Sequence, residues 1–523
     1  MTDELVIGLD SSTQSTKAIA WNAAGEDVAT GNAQIPMQNP QLDFFEQNPV
    51  DWWSACTDAL SECIGELQSK GINASSIKGL AISNQRETLS FIGEDGDAIY
   101  PSVLWLDERC REQVKTFPER FGTENIHRIT GRPPDVTPCL YTFQWIKENK
   151  PDVWQKTAYF VDVQSYLVQR LCGGTYRTGW FSADPLGIVD MESQSWSAPL
   201  LEALQLNESR LPKIHPPGTL LGNILPDVAK QTGLPETCPV YAAGGDGQCA
   251  GLGTNCTSRE RAYINLGTAI VSGVWSPEYR YNKSWRTELA AQGEGYIFEN
   301  CLRSGAFLLN WFVDQFVARG KATPSVFNEL EQAADQLPIG SDGLMVQPYS
   351  SGVMDPHWDA SARGVMIGLS ASHTESHIYR AILEAMTLDQ VMSTEDMETE
   401  LGYNIDHFLA IGGGANSALW RQMLADASGK PVLVSQTVEA SALGAGMIAA
   451  YGAGWYPDIV TAAKSMSGST KKVEPDRSKY SRYRELLDIY RKLYSATAEI
   501  NHDLVRFAEN SHKPNQGKNE SND

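Results

Sequence analysis

Residues 263–275, YINLGTAIVSGVW, restate the opening stretch 5–21, LVIGLDSSTQSTKAIAW. Each is an apolar run, a tight turn of glycine or hydroxyl residues, a second apolar run and a closing tryptophan. Short β-branched runs around a polar turn predict a strand–turn–strand hairpin in both places. The copies stand about half a chain apart in 523 residues. We read them as two related lobes that face each other, each presenting its turn to a shared cleft. In the first copy the strand ends in an acid, Asp10. A buried acid is costly unless something compensates it, so the hydroxyl turn beside it is expected to hold a ligand.

Outward from the first hairpin, residues 48–70 predict a helix, with Asn48 as N-cap, Pro49 at the first position and Gly71 as its stop. Trp52, Cys56, Ala59, Cys63 and Leu67 recur at helical spacing and mark its buried face. Further strands are expected near 87–92, 239–244, 262–266, 271–275, 407–411 and 432–435, with helices between them. The class is therefore α/β.

Two glycine-rich stretches carry candidate chemistry. In GGDGQCAGLG, Asp246 falls at a strand end before a small-residue helix, a place for a carboxylate that takes the proton of an attacking hydroxyl. The same place suits a simple helix cap. The loose G-x-G-x-x-A match at 245–250 lacks an acid ending the next strand, which disfavours a nicotinamide dinucleotide. In FLAIGGGANSALWRQ, Gly412, Gly413 and Gly414 end a strand before a helix, where a ring or a phosphate can lie against bare backbone. The small residues of ASALGAG predict close packing of the helix that follows.

Composition narrows the function classes. The formal net charge of −22 disfavours nucleic acid and anionic membranes as partners, though not a small phosphate ligand. Nine scattered cysteines form no C-x-x-C, which fits a reducing compartment better than a disulfide framework or a zinc site. The acidic N-terminus enters a strand at once, unlike a signal peptide, and no apolar run is long enough to span a bilayer. A cytoplasmic protein is expected.

The order of these stretches resembles the FGGY carbohydrate kinases, the family of glycerol kinase and xylulokinase. The glycine-rich stretch from residue 408 is similar to that family's closing signature. The two hairpin turns are similar to its phosphate motifs, ISNQRET to glycerol kinase, and PSVLWLDERC to the family's tryptophan segment. The resemblance implies two ribonuclease-H-like lobes of the actin/hexokinase type around an ATP cleft. We place them at 1–255 and 256–510, followed by a disordered tail at 511–523. It further implies Asp246 as catalytic base and Asp10 as the residue orienting Mg²⁺, both near the metal. Thr13, Gln14, Ser15, Lys17 and Thr268 would meet the phosphates, and Gly305, Asn310, Gly413 and Gly414 the nucleoside side. Arg86, Glu87, Trp105, Thr137, Asp246 and Gln248 would shape the acceptor pocket, with Arg86 and Glu87 as a donor fork and an acceptor pair for its hydroxyls. A homodimer is a common state in the family.

Departures from the family pattern bear on the acceptor. Gly247 stands where glycerol kinase has a glutamine, and Thr137 where it has a tyrosine. Both changes predict room for a tetritol, pentitol or ketopentose such as xylulose. Ser12 replaces a usual glycine. The alternatives are a true glycerol kinase, a catalytically weak sugar-binding sensor, or an actin-like ATPase lacking the Arg86–Glu87 pocket. His373 and His377 stand four apart, and a surface role is favoured over metal binding.

Overall fold

In the computed structural model the described residues are 4–435 and 439–512, with backbone only for 509–512. The expected tail lies outside them, except for Ser511 and His512, which end the last helix, Leu493–His512.

The first lobe is built on β1 (Leu5–Ser11), β2 (Ser15–Trp21), β3 (Asp27–Gln34), β4 (Ile77–Asn84), β5 (Leu220–Asn223) and β6 (Pro239–Tyr241). Their spatial order is β3-β2-β1-β4-β6-β5. The β1–β2, β2–β3 and β5–β6 pairs are antiparallel, whereas β4 runs parallel to both β1 and β6. Helix α1 (Pro49–Ser69) covers one face of this sheet. The Asn48 side chain caps it by accepting from the Val50 N–H, and its five predicted core residues are all fully buried. Contact with β3 is backbone to backbone, since a Cβ on Gly31 would lie 2.0 Å from the Ala59 carbonyl. From β6 the chain enters α2 (Asp246–Gly253).

The second lobe repeats this plan. It uses β7 (Arg261–Leu266), β8 (Ile270–Ser276), β9 (Arg286–Leu289), β10 (Tyr296–Leu302), β11 (His407–Ile411), β12 (Val432–Ser435) and β13 (Thr470–Val473). The order β10-β8-β7-β11-β12-β13 matches the first sheet strand for strand and direction for direction, with β9 added at one edge. The two hairpins that echo each other in sequence are thus the equivalent hairpins of two ribonuclease-H-like lobes.

Helix α3 (Ala440–Gly452) follows β12 in the chain but packs against the first lobe. A Cβ on Gly8 of β1 would lie 1.8 Å from the Ala442 carbonyl. One on Gly444 would lie 1.9 Å from the Cys249 carbonyl of α2. The small residues of ASALGAG are what permit this approach. Through it α3 braces β1, which carries Asp10, against α2, which carries Asp246.

Two expectations are corrected or refined. The strand expected at 87–92 begins only at Leu89 and belongs to a separate four-stranded sheet. The residues before it turn sharply, and Glu87 takes a φ of +46°, so Arg86 and Glu87 leave the sheet and enter the cleft. His377 lies in a capping box at a helix start and meets Asp342 at 3.2 Å. Among the described residues there is no group of three or more His, Cys, Asp or Glu side chains placed to hold a metal. No described helix is long and apolar enough to cross a membrane.

Candidate active site

Asp10 is next to last in β1, beside the hydroxyl turn, and two hydroxyls hold it: Ser12 donates to one carboxylate oxygen at 2.6 Å and Ser83 to the other at 2.8 Å. Burial pushes its carboxyl up, and those two hydrogen bonds oppose the shift. Ser12, the departure from the usual glycine, therefore orients the acid. The next residue in the turn, Thr13, accepts a hydrogen bond from Trp105 Nε1 at 3.0 Å. In the second hairpin Asn265 takes the place Asp10 holds in the first, next to last in its strand. The repeat thus places a carboxylate in one hairpin and a neutral amide in the other, and of the two Asn265 lines the cavity described below.

Asp246 opens α2, where its carboxylate accepts from the Gly247 N–H at 2.8 Å. The Ser441 hydroxyl of α3 donates to its backbone carbonyl at 3.1 Å. Its carboxyl is pushed up to about 7, chiefly by burial between the lobes, with Arg86 opposing and Asp10 and Glu87 adding to the rise. The side chain is still 37% exposed, and it lines the cleft cavity. A carboxylate poised near neutrality and open to a cavity suits a general base.

Arg86 sits behind it. Its Nε lies 3.3 Å from Asp246, and its Nη1 donates to Glu288 at 2.5 Å and to Glu299 at 3.1 Å. Those glutamates come from β9 and β10 of the other lobe. Arg286 pairs with Glu299 and Glu288, and Arg132 with Glu288 at 3.2 Å. Glu87 receives Arg132 at 2.7 Å and Arg286 at 3.2 Å on one carboxylate oxygen. The other oxygen has no hydrogen-bond partner among the described residues. Burial alone would raise Glu299, but Arg286 and Arg86 overcome it and bring its carboxyl down to about 2. The left-handed backbone at Glu87, a strain of about 1–3 kcal/mol, is held by its two arginines.

A cavity of about 290 Å³ lies between the lobes. Its wall brings together Thr13, Arg86, Glu87, Trp105, Thr137, Asp246 and Thr268 of the expected residues. It adds Asn265, Arg286, Arg303 and Ser441, which the sequence reading missed. Three expectations need correction. Gln248 is 1% exposed and does not line the cavity, because two residues along the helix turn it away from Asp246 and behind Arg86. Arg86 does line it but is no free donor fork, since its Nη1 is committed to glutamates. Gly247 does line the cavity, but the room a side chain there would take lies toward the network, since a Cβ would meet Arg86 Nη2 at 2.9 Å and Glu299 Oε2 at 3.1 Å. The space is filled by the network.

The remaining expected residues lie outside this lining. Gln14 and Asn310 are exposed, while Ser15 begins β2 and closes the first turn by accepting from the Ser12 N–H at 3.0 Å. Lys17 pairs across the hairpin with Asp10, and its ammonium meets Glu439, just before α3, at 2.5 Å. Gly305 packs on the second turn, where a Cβ would lie 2.9 Å from the Gly267 carbonyl. Gly414 approaches the Leu266 carbonyl at the same turn, and Gly413 faces open space. Glycine backbone thus borders the Thr268 turn from two sides.

The N-terminal domain of the FGGY family of carbohydrate kinases matches residues 5–253, and its C-terminal domain matches residues 262–453. The chain belongs to the FGGY family. FGGY members are ATP-dependent carbohydrate kinases, and this chain is one. The xylulose kinase of Bacillus subtilis (strain 168) is 28% identical over 97% of this chain and 99% of its own length. The gluconokinase of the same organism is 24% identical over 93% and 94%. The crystal structure of xylulose kinase from Rhodospirillum rubrum aligns with a TM-score of 0.86 at 25% identity, covering 95% of this chain and all of that one.

The network residues of this FGGY kinase carried a sequence signal of their own. Glu288 and Glu299 interrupt short strands, RTEL and YIFENCL, whose neighbours are fully buried. A charge in a strand buried on both faces has to be paired, and that alone marks both as partners of buried cations.

Proposed function

We propose that this FGGY kinase transfers the terminal phosphoryl group of ATP to a terminal hydroxyl of a small neutral ketose or polyol. Five-carbon acceptors such as xylulose are favoured. The observation that carries this reading is the charge balance of the cavity wall. Arg86 and Arg286 are matched by Glu288, Glu299 and Glu87, and Arg303 by Asp135 at 2.6 Å. Each arginine of the wall already has its charge matched by a carboxylate, which disfavours a sugar acid such as gluconate. The xylulose kinase relatives support the same choice.

Asp246 takes the proton of the acceptor hydroxyl as its oxygen attacks the terminal phosphorus and ADP leaves. Closure of the lobes keeps water, the competing acceptor, away. Thr13, Ser15, Lys17 and Thr268 receive the phosphates, with Gln14 at the turn's rim, and Gly305, Asn310, Gly413 and Gly414 border the nucleoside. The donor set fits Mg²⁺: two carboxylates, Asp10 and Asp246, with no third His, Cys, Asp or Glu grouped with them among the described residues. This suits an ion that keeps its waters and takes the rest of its coordination from phosphate. Bound there, the ion supplies charge neutralisation between the phosphates. Glu87, through its free carboxylate oxygen, and Trp105 and Thr137 shape the acceptor site.

We place the lobe boundary at 255/256, between α2 and β7. Nine free cysteines support a cytoplasmic location. The test is ADP release from Mg-ATP against glycerol, tetritols, pentitols, ketopentoses and gluconate. A ketopentose or pentitol should be the best acceptor; gluconate as the best would overturn the neutral-acceptor reading.

A further inference from the structure

Arg303 differs from the other arginines of the wall. It follows β10, with its side chain only 12% exposed, and it lines the cavity. Its Nη2 donates to Asp135 of the opposite lobe at 2.6 Å. Among the described residues its Nη1 makes no hydrogen bond, and the carboxylate it approaches, Glu108, lies at 4.0 Å, beyond hydrogen-bond reach. Its Nε is buried with no partner among the described residues. Asp135 also accepts from the Thr137 hydroxyl at 3.0 Å, so the two cavity-lining residues share one carboxylate. Arg286, by contrast, has carboxylate partners at Nε, Nη1 and Nη2.

A buried guanidinium with one committed nitrogen and surplus donors calls for an oxygen-rich ligand. Its charge is already balanced by Asp135, so that ligand has to be neutral. We propose that Arg303 is a specificity-determining residue: held by Asp135, it donates from Nη1 to a hydroxyl or carbonyl oxygen of the acceptor, beside Thr137. The two lobes then grip the acceptor jointly, through Glu87 and Thr137 on one side and Arg303 on the other. This rests on the proposed sugar or polyol kinase activity.

The experiment compares steady-state kinetics of the wild-type chain, Arg303→Met and the double variant Arg303→Met/Asp135→Asn. The double variant removes both charges and guards against loss of fold from an unpaired Asp135. Each is measured with the best acceptor of the panel and with ATP. We expect KM for the acceptor to rise at least tenfold in both variants. The kcat should stay within threefold and KM for ATP within twofold. An unchanged acceptor KM in the folded double variant would overturn the assignment. So would a KM for ATP that rises as much as that for the acceptor, which would place Arg303 on the phosphates. A wild-type chain inactive on the whole panel would overturn the kinase reading itself, and the inference with it.

Discussion

Arg86 Nε lies 3.3 Å from the Asp246 carboxylate, and the same guanidinium reaches Glu288 and Glu299 of the other lobe. One residue therefore touches the proposed base and ties the lobes together at the floor of the cleft. The electrostatics of catalysis and the closure of the cleft share this contact.

The pH profile follows from Asp246. Its carboxyl is pushed up to about 7. A base has to be ionised to accept a proton, so activity is present above that value and is lost as pH falls through it. We expect kcat/KM for the acceptor to fall with unit slope on the acid side of about pH 7. A profile flat from pH 5.5 to 8 would remove Asp246 as the titrating base.

Gly247→Ala tests the filled space. The added methyl would meet Arg86 and Glu299 at 2.9–3.1 Å, and Arg86 has little freedom to move. Displacing a buried, paired guanidinium should cost about 1–3 kcal/mol of stability. It should also raise KM for the acceptor several-fold, as measured by thermal melting and steady-state kinetics. A neutral variant would mean the network is looser than its distances indicate.

Lys17 and Glu439 form a pair of which each side chain is about a third exposed. A contact of that kind is worth up to about 1 kcal/mol and is readily exchanged for a phosphate. Lys17→Met should raise KM for ATP tenfold or more. Glu439→Gln removes the competing partner and should lower it two- to fivefold, with both effects shrinking in high salt. A rise in KM for ATP in Glu439→Gln would mean that the glutamate positions Lys17 rather than competing for it.

The hairpin echo, the helix at 48–70 and the ASALGAG contact were legible because each rests on local periodicity or on residue size. Asp246 was legible for a related reason, as an acid between glycines at a strand end. The network was legible only in part, through the charges inside RTEL and YIFENCL; its pairing was not. Arg86 and Glu299 are 213 residues apart, and nothing local in ISNQRET shows that the arginine's fork is already taken. Gln248 was misplaced because adjacency in sequence was read as adjacency in the pocket, and a helix turns about 100° per residue. Asn265 could have been found by aligning the two hairpins residue by residue.

The most direct test of the account is Asp246→Asn, assayed for turnover and, by calorimetric titration, for acceptor and Mg-ATP binding. The amide keeps the shape of the side chain but cannot take a proton. We predict that kcat falls about a hundred- to ten-thousand-fold while both ligands still bind within about fivefold of wild type. Turnover within tenfold of wild type would contradict Asp246 as the base, and with it the chemistry assigned to this cleft.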